Sequence, residues 1–183
     1  MPRPRQRAAP VLETPRLRLL PLGIGRLDAL HRHWTRPEVR RYLWDGREIP
    51  RQEAELHLRK SLEHFRRHGW GLWAVTEREG DGSLGGTVGL LPVPEQPGEV
   101  EILFSLEPAW QRRGLATEAA SAVVAHGFAT GLERIVGRCD APNEASRRVL
   151  ERLGMRFVRR APIHGLDSLH YDLDRPPSRA GDA

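Results

Sequence analysis

Residues 101–120 read Glu-Ile-Leu-Phe-Ser-Leu-Glu-Pro-Ala-Trp-Gln-Arg-Arg-Gly-Leu-Ala-Thr-Glu-Ala-Ala, and this stretch decides how the chain folds. Hydrophobic residues over 98–106 predict a strand, which Glu107-Pro108 ends. A long helix is predicted over 115–130, and the small residues Ala119, Ala120 and Gly127 on one of its faces favour close packing on a sheet. The segment is therefore predicted to be a strand, a short loop and a helix.

The loop between this strand and helix has the chemistry of an anion-binding site. Unpaired backbone N–H groups at a helix start carry the positive end of the helix dipole. Gly114 and Ala116 keep side chains out of the way, and Arg112 and Arg113 add positive charge. No Gly-Lys-Ser/Thr is present, which argues against a nucleotide P-loop. Taken alone, the loop is equally consistent with a tight turn that needs small residues.

The remaining periodic segments predict a mixed sheet covered by helices. Strands are predicted over 16–20, 70–77, 84–91, 134–139, 156–160 and 168–173 in addition to 98–106. Helices are predicted over 26–42 in two short pieces, 51–67, 115–130 and 143–153. Three consecutive central strands argue against a dinucleotide-binding Rossmann fold, which alternates strands with helices. The predicted class is α/β (α+β), with a mixed central sheet of about seven strands flanked by about four helices.

The composition is that of one ordinary globular domain. The chain has 183 residues, of which 39% are hydrophobic and 29% charged, so it can bury a sizeable core. One domain is predicted over 11–173, with disordered Pro/Arg-rich tails over 1–10 and 174–183. No apolar run is long enough to span a membrane, and no apolar region follows the basic N-terminus as in a secretory signal. We therefore expect a cytoplasmic protein without a membrane partner.

Cysteine and histidine usage predicts no metal. Cys139 is the only cysteine, which excludes an intramolecular disulfide and a multi-cysteine zinc site. The histidines do not follow metal-ligand spacing. Cys139 itself is predicted to be a small buried hydrophobic residue.

The basic charge leaves a nucleic-acid-binding alternative open. The formal net charge is +5, but Lys60 is the only lysine among 29 basic residues, and the arginines are scattered and interleaved with acidic residues. Such a pattern is typical of a solvated surface. We expect no nucleic-acid partner, although a basic protein attracts a polyanionic ligand.

A second segment, 143–157, follows a strand and opens a helix. Asn143 is a good N-cap on its own. Together, the two segments resemble motifs A and B of the GNAT acetyltransferases, through the residues Gln111, Gly114 and Ala116 in the first and Asn143, Ser146, Glu151, Gly154 and Phe157 in the second. The opening Thr14-Pro15-Arg16-Leu17 and the helix around Asp28 are similar to the ribosomal-protein-alanine N-acetyltransferase branch. The resemblance covers roughly residues 13–173.

This resemblance implies an N-acetyltransferase that carries an acetyl group from acetyl-CoA to a primary amine, by direct attack in a ternary complex. The amine is a protein N-terminus or a small molecule. The pantetheine arm would pair with the end of the strand at Phe104, Ser105 and Leu106. The pyrophosphate would lie on the loop and helix start, formed by Gln111, Arg112, Arg113, Gly114, Leu115, Ala116 and Thr117. Asn143 and Ser146 would add further coenzyme A contacts, and Arg147 or Arg148 would reach a phosphate.

The resemblance also implies two catalytic roles. Glu101 would be the base that takes a proton from the amine, and solvent is the alternative base. The plain interpretation of Glu101 is that it is an ordinary exposed strand residue with no catalytic role. Ser146 would donate a hydrogen bond to the departing thiolate. Many GNAT members place a tyrosine seven residues after the asparagine, where this chain has Leu150, and relatives often carry a glutamate just after the position of Phe157, where this chain continues with 158–160, Val-Arg-Arg.

The acceptor site is predicted from the segment 42–48. Tyr42, Trp44 and Asp45 stand where GNAT members place the acceptor-binding wall, and Asp45 with Glu48 would attract a cationic amine. The tryptophans in this region could equally pack in the core. The departures from the family pattern keep open a catalytically silent domain that binds coenzyme A as a sensor or interaction module. The acceptor, the length of the acyl group and the oligomeric state remain open, although a homodimer is possible.

Overall fold

The computed structural model describes residues 9–177 as an eight-stranded sheet with helices on both faces. The strands are β1 Leu12–Glu13, β2 Leu17–Pro21, β3 Leu72–Glu77, β4 Gly86–Pro92, β5 Val100–Leu106, β6 Arg134–Asp140, β7 Arg156–Ile163 and β8 Leu166–Asp174. The α-helices are α1 Leu27–Trp34, α2 Pro37–Leu43, α3 Arg51–His68, α4 Leu115–Ala129 and α5 Glu144–Arg152. Short 3₁₀ turns lie at Ile24–Arg26 and Pro108–Trp110.

The predicted fold class is confirmed, with two small differences in element number. The described residues contain eight strands and five α-helices, because the two-residue strand β1 has no alternating pattern of its own and because α1 and α2 are separate helices. The predicted tails at 1–10 and 174–183 lie largely outside the described residues. At their inner ends, the Pro10 carbonyl accepts a hydrogen bond from the Trp73 indole, and Asp174 ends β8.

The order of strands across the sheet is β1-β2-β3-β4-β5-β6-β8-β7. Every neighbouring pair is antiparallel except β5 and β6, which run parallel and have one registered pair, Glu101 with Val136. By contrast, β4 and β5 pair over seven residues. Since the ladder between β5 and β6 does not continue, the two strands separate beyond Glu101 and leave an opening in the sheet.

Two hydrophobic clusters hold the helices on opposite faces of the sheet. The first packs α4 and α5 against one face, with Val123, Ile135 and Leu150 fully buried. The second packs α1, α2 and α3 against the other face around Leu30 and Leu58. The opening between β5 and β6 connects the two faces, since neither cluster fills it.

Candidate active site

A cavity of about 680 Å³ occupies the opening between β5 and β6 and continues onto both faces of the sheet. One part is lined by β5, the loop after it and the starts of α4 and α5. The other part is lined by α2, the polar side chains of β5 and β6, and the turn between β7 and β8. A single cavity therefore joins the two predicted half-sites, one for a cofactor and one for an acceptor.

The start of α4 has the form of an anion-binding nest. Gly114 occupies the N-cap position in the left-handed region, with φ 76°, and no side chain caps the helix. Arg112 is also left-handed, with φ 60°. Alternating backbone conformations of this kind turn successive N–H groups toward one concavity. The free amides and the helix dipole together make the loop attractive to a phosphate group.

Two side chains hold this loop in place from behind. The Gln111 amide donates a hydrogen bond of 3.0 Å to the Leu106 carbonyl at the end of β5. The Arg16 guanidinium donates one of 2.9 Å to the Arg113 carbonyl. Arg16 also pairs with Glu118 on the first turn of α4. The loop is therefore fixed to the end of β5, to the turn before β2 and to α4.

Most of the residues predicted to contact coenzyme A line the cavity. They are Phe104, Ser105, Leu106, Gln111, Arg112, Gly114, Leu115, Ala116, Thr117, Asn143 and Ser146. Arg113 and Arg147 lie outside this lining: Arg113 is exposed, and Arg147 lies near Glu151, at 3.9 Å, on the next turn of α5. Of the two alternatives for the phosphate contact, Arg148 lines the cavity and Arg147 does not.

Asn143 fills the N-cap position of α5. Its side-chain oxygen accepts a hydrogen bond of 3.1 Å from the Ser146 amide, as the plain interpretation of this residue predicted. Asn143 nevertheless also lines the cavity. The cap therefore places Asn143 and the start of α5 beside the opening in the sheet.

Glu101 sits where the two strands separate, but its carboxylate is already occupied. Arg138 on β6 donates two hydrogen bonds to it, of 3.0 and 2.6 Å. Burial raises the pKa of Glu101, and the Arg138 guanidinium opposes that rise. The residue is 7% exposed, so the interpretation as an ordinary exposed strand residue is wrong. The ion pair makes Glu101 a weaker candidate base than its position alone suggests.

Comparison with known proteins identifies the family. The model of the GNAT acetyltransferase domain matches residues 16–156. The chain belongs to the GNAT family. The uncharacterized N-acetyltransferase YoaA of Bacillus subtilis is 32% identical over 149 residues, covering 79% of this chain and 82% of YoaA. The predicted family is confirmed, and with it an acetyltransferase domain whose cosubstrate is acetyl-CoA.

Solved structures agree with this assignment. A putative GNAT-family acetyltransferase from Bordetella pertussis superposes with a TM-score of 0.77 at 27% identity, covering 89% of this chain and 98% of its own. The structure of RimL, a ribosomal L7/L12 α-N-protein acetyltransferase solved with coenzyme A, has a TM-score of 0.75 at 17% identity, covering 90% and 98%. At 17% identity, this similarity shows that the two chains share a fold and nothing more.

The region around Ser146 shows how this GNAT domain departs from the more frequent family pattern. Leu150, which stands where many members carry a tyrosine, is fully buried in the first hydrophobic cluster. Ser146 lines the cavity. Its neighbour Cys139 is buried, and burial raises the pKa of the Cys139 thiol to about 11. A thiol with that pKa stays protonated at neutral pH and is a poor nucleophile.

The acceptor half of the cavity is acidic. Glu38, Asp45 and Asp140 line it together with Tyr42, and among residues 9–177 none of these three carboxylates has an ion-pair partner within 4 Å. Burial and the nearby Asp45 carboxylate raise the pKa of Asp140. Three unpaired carboxylates at one end of a cavity favour a positively charged occupant.

Trp44 and Glu48, also predicted for the acceptor wall, lie elsewhere. Trp44 packs in the second hydrophobic cluster against Trp34 and His57, with ring centroids 5.2 and 4.9 Å apart. The helix α2 turns Tyr42 toward the cavity, whereas Trp44, which follows the helix, turns toward the core. Glu48 is exposed and lies 3.5 Å from Arg40.

Sequence reasoning missed three polar residues: Glu38 and Asp140, which line the cavity, and His33, which contacts the cavity residue Ser105. Asp140 ends β6, and alternation along that strand puts it on the same face as Arg138. That signal was available in the sequence, three residues before Asn143. His33 lies on α1 and carries no local motif, so its contacts with β5 come from the tertiary fold.

Among residues 9–177, no group of three or more His, Cys, Asp or Glu side chains has an arrangement that could hold a metal ion. In the same range, no helix combines the length and the apolar character needed to cross a bilayer.

Proposed function

We propose that this chain transfers the acetyl group of acetyl-CoA to a primary amine that carries a positive charge, by direct attack within a ternary complex. The observation that carries the proposal is the continuity of one cavity from the uncapped start of α4 to the three carboxylates of the acceptor half. A diphosphate fits the first end and an ammonium group fits the second.

The fit to coenzyme A rests on the backbone as much as on side chains. Free amides at residues 114–117 would bind the pyrophosphate, and Arg112 and Arg148 would add charge. The edge of β5 at 104–106 has no registered partner on β6. Its backbone groups can therefore pair with the pantetheine amides as with an added strand.

The acceptor would enter between α2 and β6. An alkyl ammonium ion has a pKa near that of lysine, about 10.4, so it arrives charged and must lose a proton before its nitrogen can attack. Asp45, Asp140 and Glu38 would bind the ammonium ion and any second cationic group of the acceptor. A peptide N-terminus with a basic residue nearby, a polyamine and an aminoglycoside all meet this description.

Ser146 would donate a hydrogen bond to the coenzyme A sulfur as the thiolate leaves, from its position at the start of α5. Glu101 stays a candidate base, and its ion pair with Arg138 counts against that role because both carboxylate oxygens are occupied. One domain over 11–173 would carry all of these groups, and a homodimer remains a prediction.

The test is the release of free thiol from acetyl-CoA by the purified full chain. Spermidine, kanamycin, lysine and a peptide with a free N-terminal alanine would each be offered as acceptor, with calorimetry of acetyl-CoA binding in parallel. We expect tight binding and turnover that depends on a cationic amine. Binding without turnover across the panel would favour a silent coenzyme A-binding module, and no binding would contradict the proposal altogether.

A further inference from the structure

A buried histidine connects the acetyltransferase cavity to a carboxylate on its far side. His33 on α1 is 1% exposed. Its Nε2 lies 2.9 Å from the Ser105 hydroxyl on β5, and its Nδ1 lies 2.9 Å from a Glu107 carboxylate oxygen. Arg36 contacts the other oxygen of Glu107 at 2.7 Å. Serine, imidazole and carboxylate thus form one continuous chain of hydrogen bonds.

The direction in which these hydrogen bonds donate follows from two further residues, Trp34 and Thr87. The Trp34 indole can only donate, and it donates to the Thr87 hydroxyl at 3.3 Å. Thr87 Oγ1 lies 2.9 Å from Ser105 Oγ. The arrangement that satisfies every group has Thr87 donating to Ser105, Ser105 donating to His33 Nε2, and His33 Nδ1–H donating to Glu107. The imidazole is then neutral, with its Nε2 lone pair directed at the serine hydroxyl.

Ser105 is the member of this chain that reaches the cavity. It is half-buried and lines the cavity next to Phe104 and Leu106. Alternation along β5 puts Ser105 on the same face as Leu103 and Glu101, toward the acceptor half. After accepting from Thr87, the Ser105 oxygen keeps one lone pair, which can accept an N–H from an amine in the cavity.

We propose that Ser105, His33 and Glu107 form the proton relay that deprotonates the acceptor amine. The ammonium ion donates a hydrogen bond to Ser105 Oγ, the ammonium proton moves to Ser105, and the serine proton moves to His33 Nε2. The Glu107 carboxylate stabilises the imidazolium that forms. The free nitrogen lone pair then forms the C–N bond with the acetyl carbon and the C–S bond breaks. The nitrogen gives up its second proton and the thiolate takes one, so the net products are amide, free thiol and one proton.

In this reaction Ser105 is a catalytic residue, while His33 and Glu107 act through it. The relay rests on the proposed function, and it explains a feature that the Glu101 hypothesis leaves unexplained. Both ring nitrogens of this buried imidazole are hydrogen-bonded, and its hydroxyl partner lies in the active cavity. This is the geometry of a general base that acts through an intervening hydroxyl. Glu101, by contrast, already accepts a hydrogen bond from Arg138 on each of its carboxylate oxygens.

The electrostatics around His33 agree with a neutral resting state. Burial lowers the pKa of His33. The hydrogen bond and charge of Glu107 and a hydrogen bond to the Ser105 backbone oppose that change, and the charge of Arg36 reinforces it. Arg36 and Glu107 are the charged groups that face the ring. Because the relay works only from the neutral imidazole, kcat should rise with pH through a value below the ordinary 6.5 of histidine.

The kinetic test compares Ser105→Ala, Ser105→Thr and His33→Gln with the native chain, using the amine from the panel that is turned over best. We expect kcat at pH 7 to fall about 100-fold in Ser105→Ala and His33→Gln, as for loss of a general base, with the KM for acetyl-CoA within about threefold. Ser105→Thr keeps a hydroxyl and should retain most of the rate. The acid limb of the kcat profile that belongs to His33 should disappear in His33→Gln.

The matched control is His126→Gln. Like His33, His126 uses a ring nitrogen in a hydrogen bond, here with the Gly69 carbonyl at 2.8 Å, but it lies on α4 outside the cavity lining. This variant should keep the native rate and pH profile. Circular dichroism and thermal melting of all variants would separate loss of the relay from loss of the fold.

A second measurement does not depend on turnover. The ¹⁵N chemical shifts of the His33 ring at pH 7 should show a neutral imidazole with its proton on Nδ1. A cationic ring or a proton on Nε2 would overturn the relay. Native turnover with unchanged kcat in folded Ser105→Ala and His33→Gln would also overturn it while leaving the proposed function intact. Absence of turnover by the native chain would remove both.

Discussion

Single residues decide whether the anion-binding loop and the acceptor wall can work. Gly114 is required where the chain must turn in the left-handed region at the start of α4, and Arg112 adopts the same region two residues earlier. In the other half of the cavity, Asp140 adds a carboxylate without a counterion. Both features are local and can be changed one side chain at a time.

Gly114→Ala should weaken coenzyme A binding. The new Cβ would meet Arg16 at 3.6 Å, an ordinary contact, so the cost is conformational and amounts to about 1–2 kcal/mol for a left-handed L-residue. If the loop relaxes to avoid that cost, the Kd measured by calorimetry should rise about fivefold to thirtyfold. Gly25→Ala, which has open space around the new Cβ, is the control. Equal affinity in the two variants would argue against the nest.

Asp140→Asn should raise the KM of a cationic acceptor about tenfold, which corresponds to about 1.4 kcal/mol. The reason is the loss of one of three unpaired charges that face the ammonium group. Steady-state kinetics at saturating acetyl-CoA measures the effect, and the KM for acetyl-CoA should not move. The matched control is Asp28→Asn, which removes an exposed carboxylate of α1 that pairs with Arg51 on α3. A lower KM in Asp140→Asn would contradict the cationic acceptor.

Elements are joined around the cavity by a few contacts between distant parts of the chain. The turn before β2 is tied to α4 through Glu118, which accepts hydrogen bonds from the Thr14 hydroxyl at 2.6 Å, the Arg16 amide at 2.9 Å and the Arg16 guanidinium at 2.6 Å. The same guanidinium holds the Arg113 carbonyl. Strand, loop and helix therefore move as one unit, which keeps the free amides of α4 pointed into the cavity.

Glu118→Gln should lower the free energy of unfolding by about 1.5–3 kcal/mol, the range for hydrogen bonds to a charged group. The loss should depend on pH. Burial opposes ionisation of Glu118, but these hydrogen bonds prevail and lower its pKa below the ordinary 4.5. A carboxyl group whose pKa is lower in the folded state contributes its full stabilisation above its unfolded pKa of 4.5. This contribution is lost as the pH falls through the pKa of the folded state.

Urea denaturation of Glu118→Gln and the native chain at pH 7 and pH 3.5 checks this prediction. The difference in unfolding free energy should shrink at the lower pH. Glu55→Gln removes an exposed ion pair with Arg59 on α3 and should cost about 0.5 kcal/mol or less. A pH-independent difference for Glu118→Gln would show that the charge of Glu118 contributes nothing.

At the scale of the whole molecule, the opening between β5 and β6 is the feature that creates the cavity of the candidate active site. The strands hold together at Glu101 and Val136 and separate beyond them. Sheet hydrogen bonding that would stabilise the fold is given up along this edge. A bound pantetheine arm would restore part of it by bridging the two halves.

Coenzyme A at 100 times its Kd should raise the melting temperature by about 5–10 °C. Binding at that concentration contributes about 2.7 kcal/mol, and a domain of this size gains about 2–4 °C for each kcal/mol. Differential scanning fluorimetry measures the shift. Pantetheine lacks the diphosphate, so at the same concentration as coenzyme A it should give a much smaller shift. Equal shifts from the two ligands at that concentration would place the main affinity outside the α4 loop.

The parts of the site that could be predicted are those encoded in short segments. Gly114 and Ala116 at a helix start indicate an anion site because the free amides are a property of any helix start. Asn143 predicts a helix N-cap because its side-chain oxygen can accept from one of these free amides. Trp44 shows the limit of this reasoning, since an aromatic side chain beside an acceptor wall and one in a core are alike in sequence, and the direction of α2 decides between them.

The sequence alone predicted the family, the order of strands and helices along the chain, and the residues expected at the cofactor end of the cavity, because each is recorded in local periodicity and short motifs. Only the tertiary structure decided the pairing of Glu101 with Arg138, the placement of Glu38 and Asp140 beside Asp45, and the contact of His33 with Ser105. His33 and Ser105 are 72 residues apart. Contacts at that separation arise when the sheet and helices pack together, and no local pattern records them.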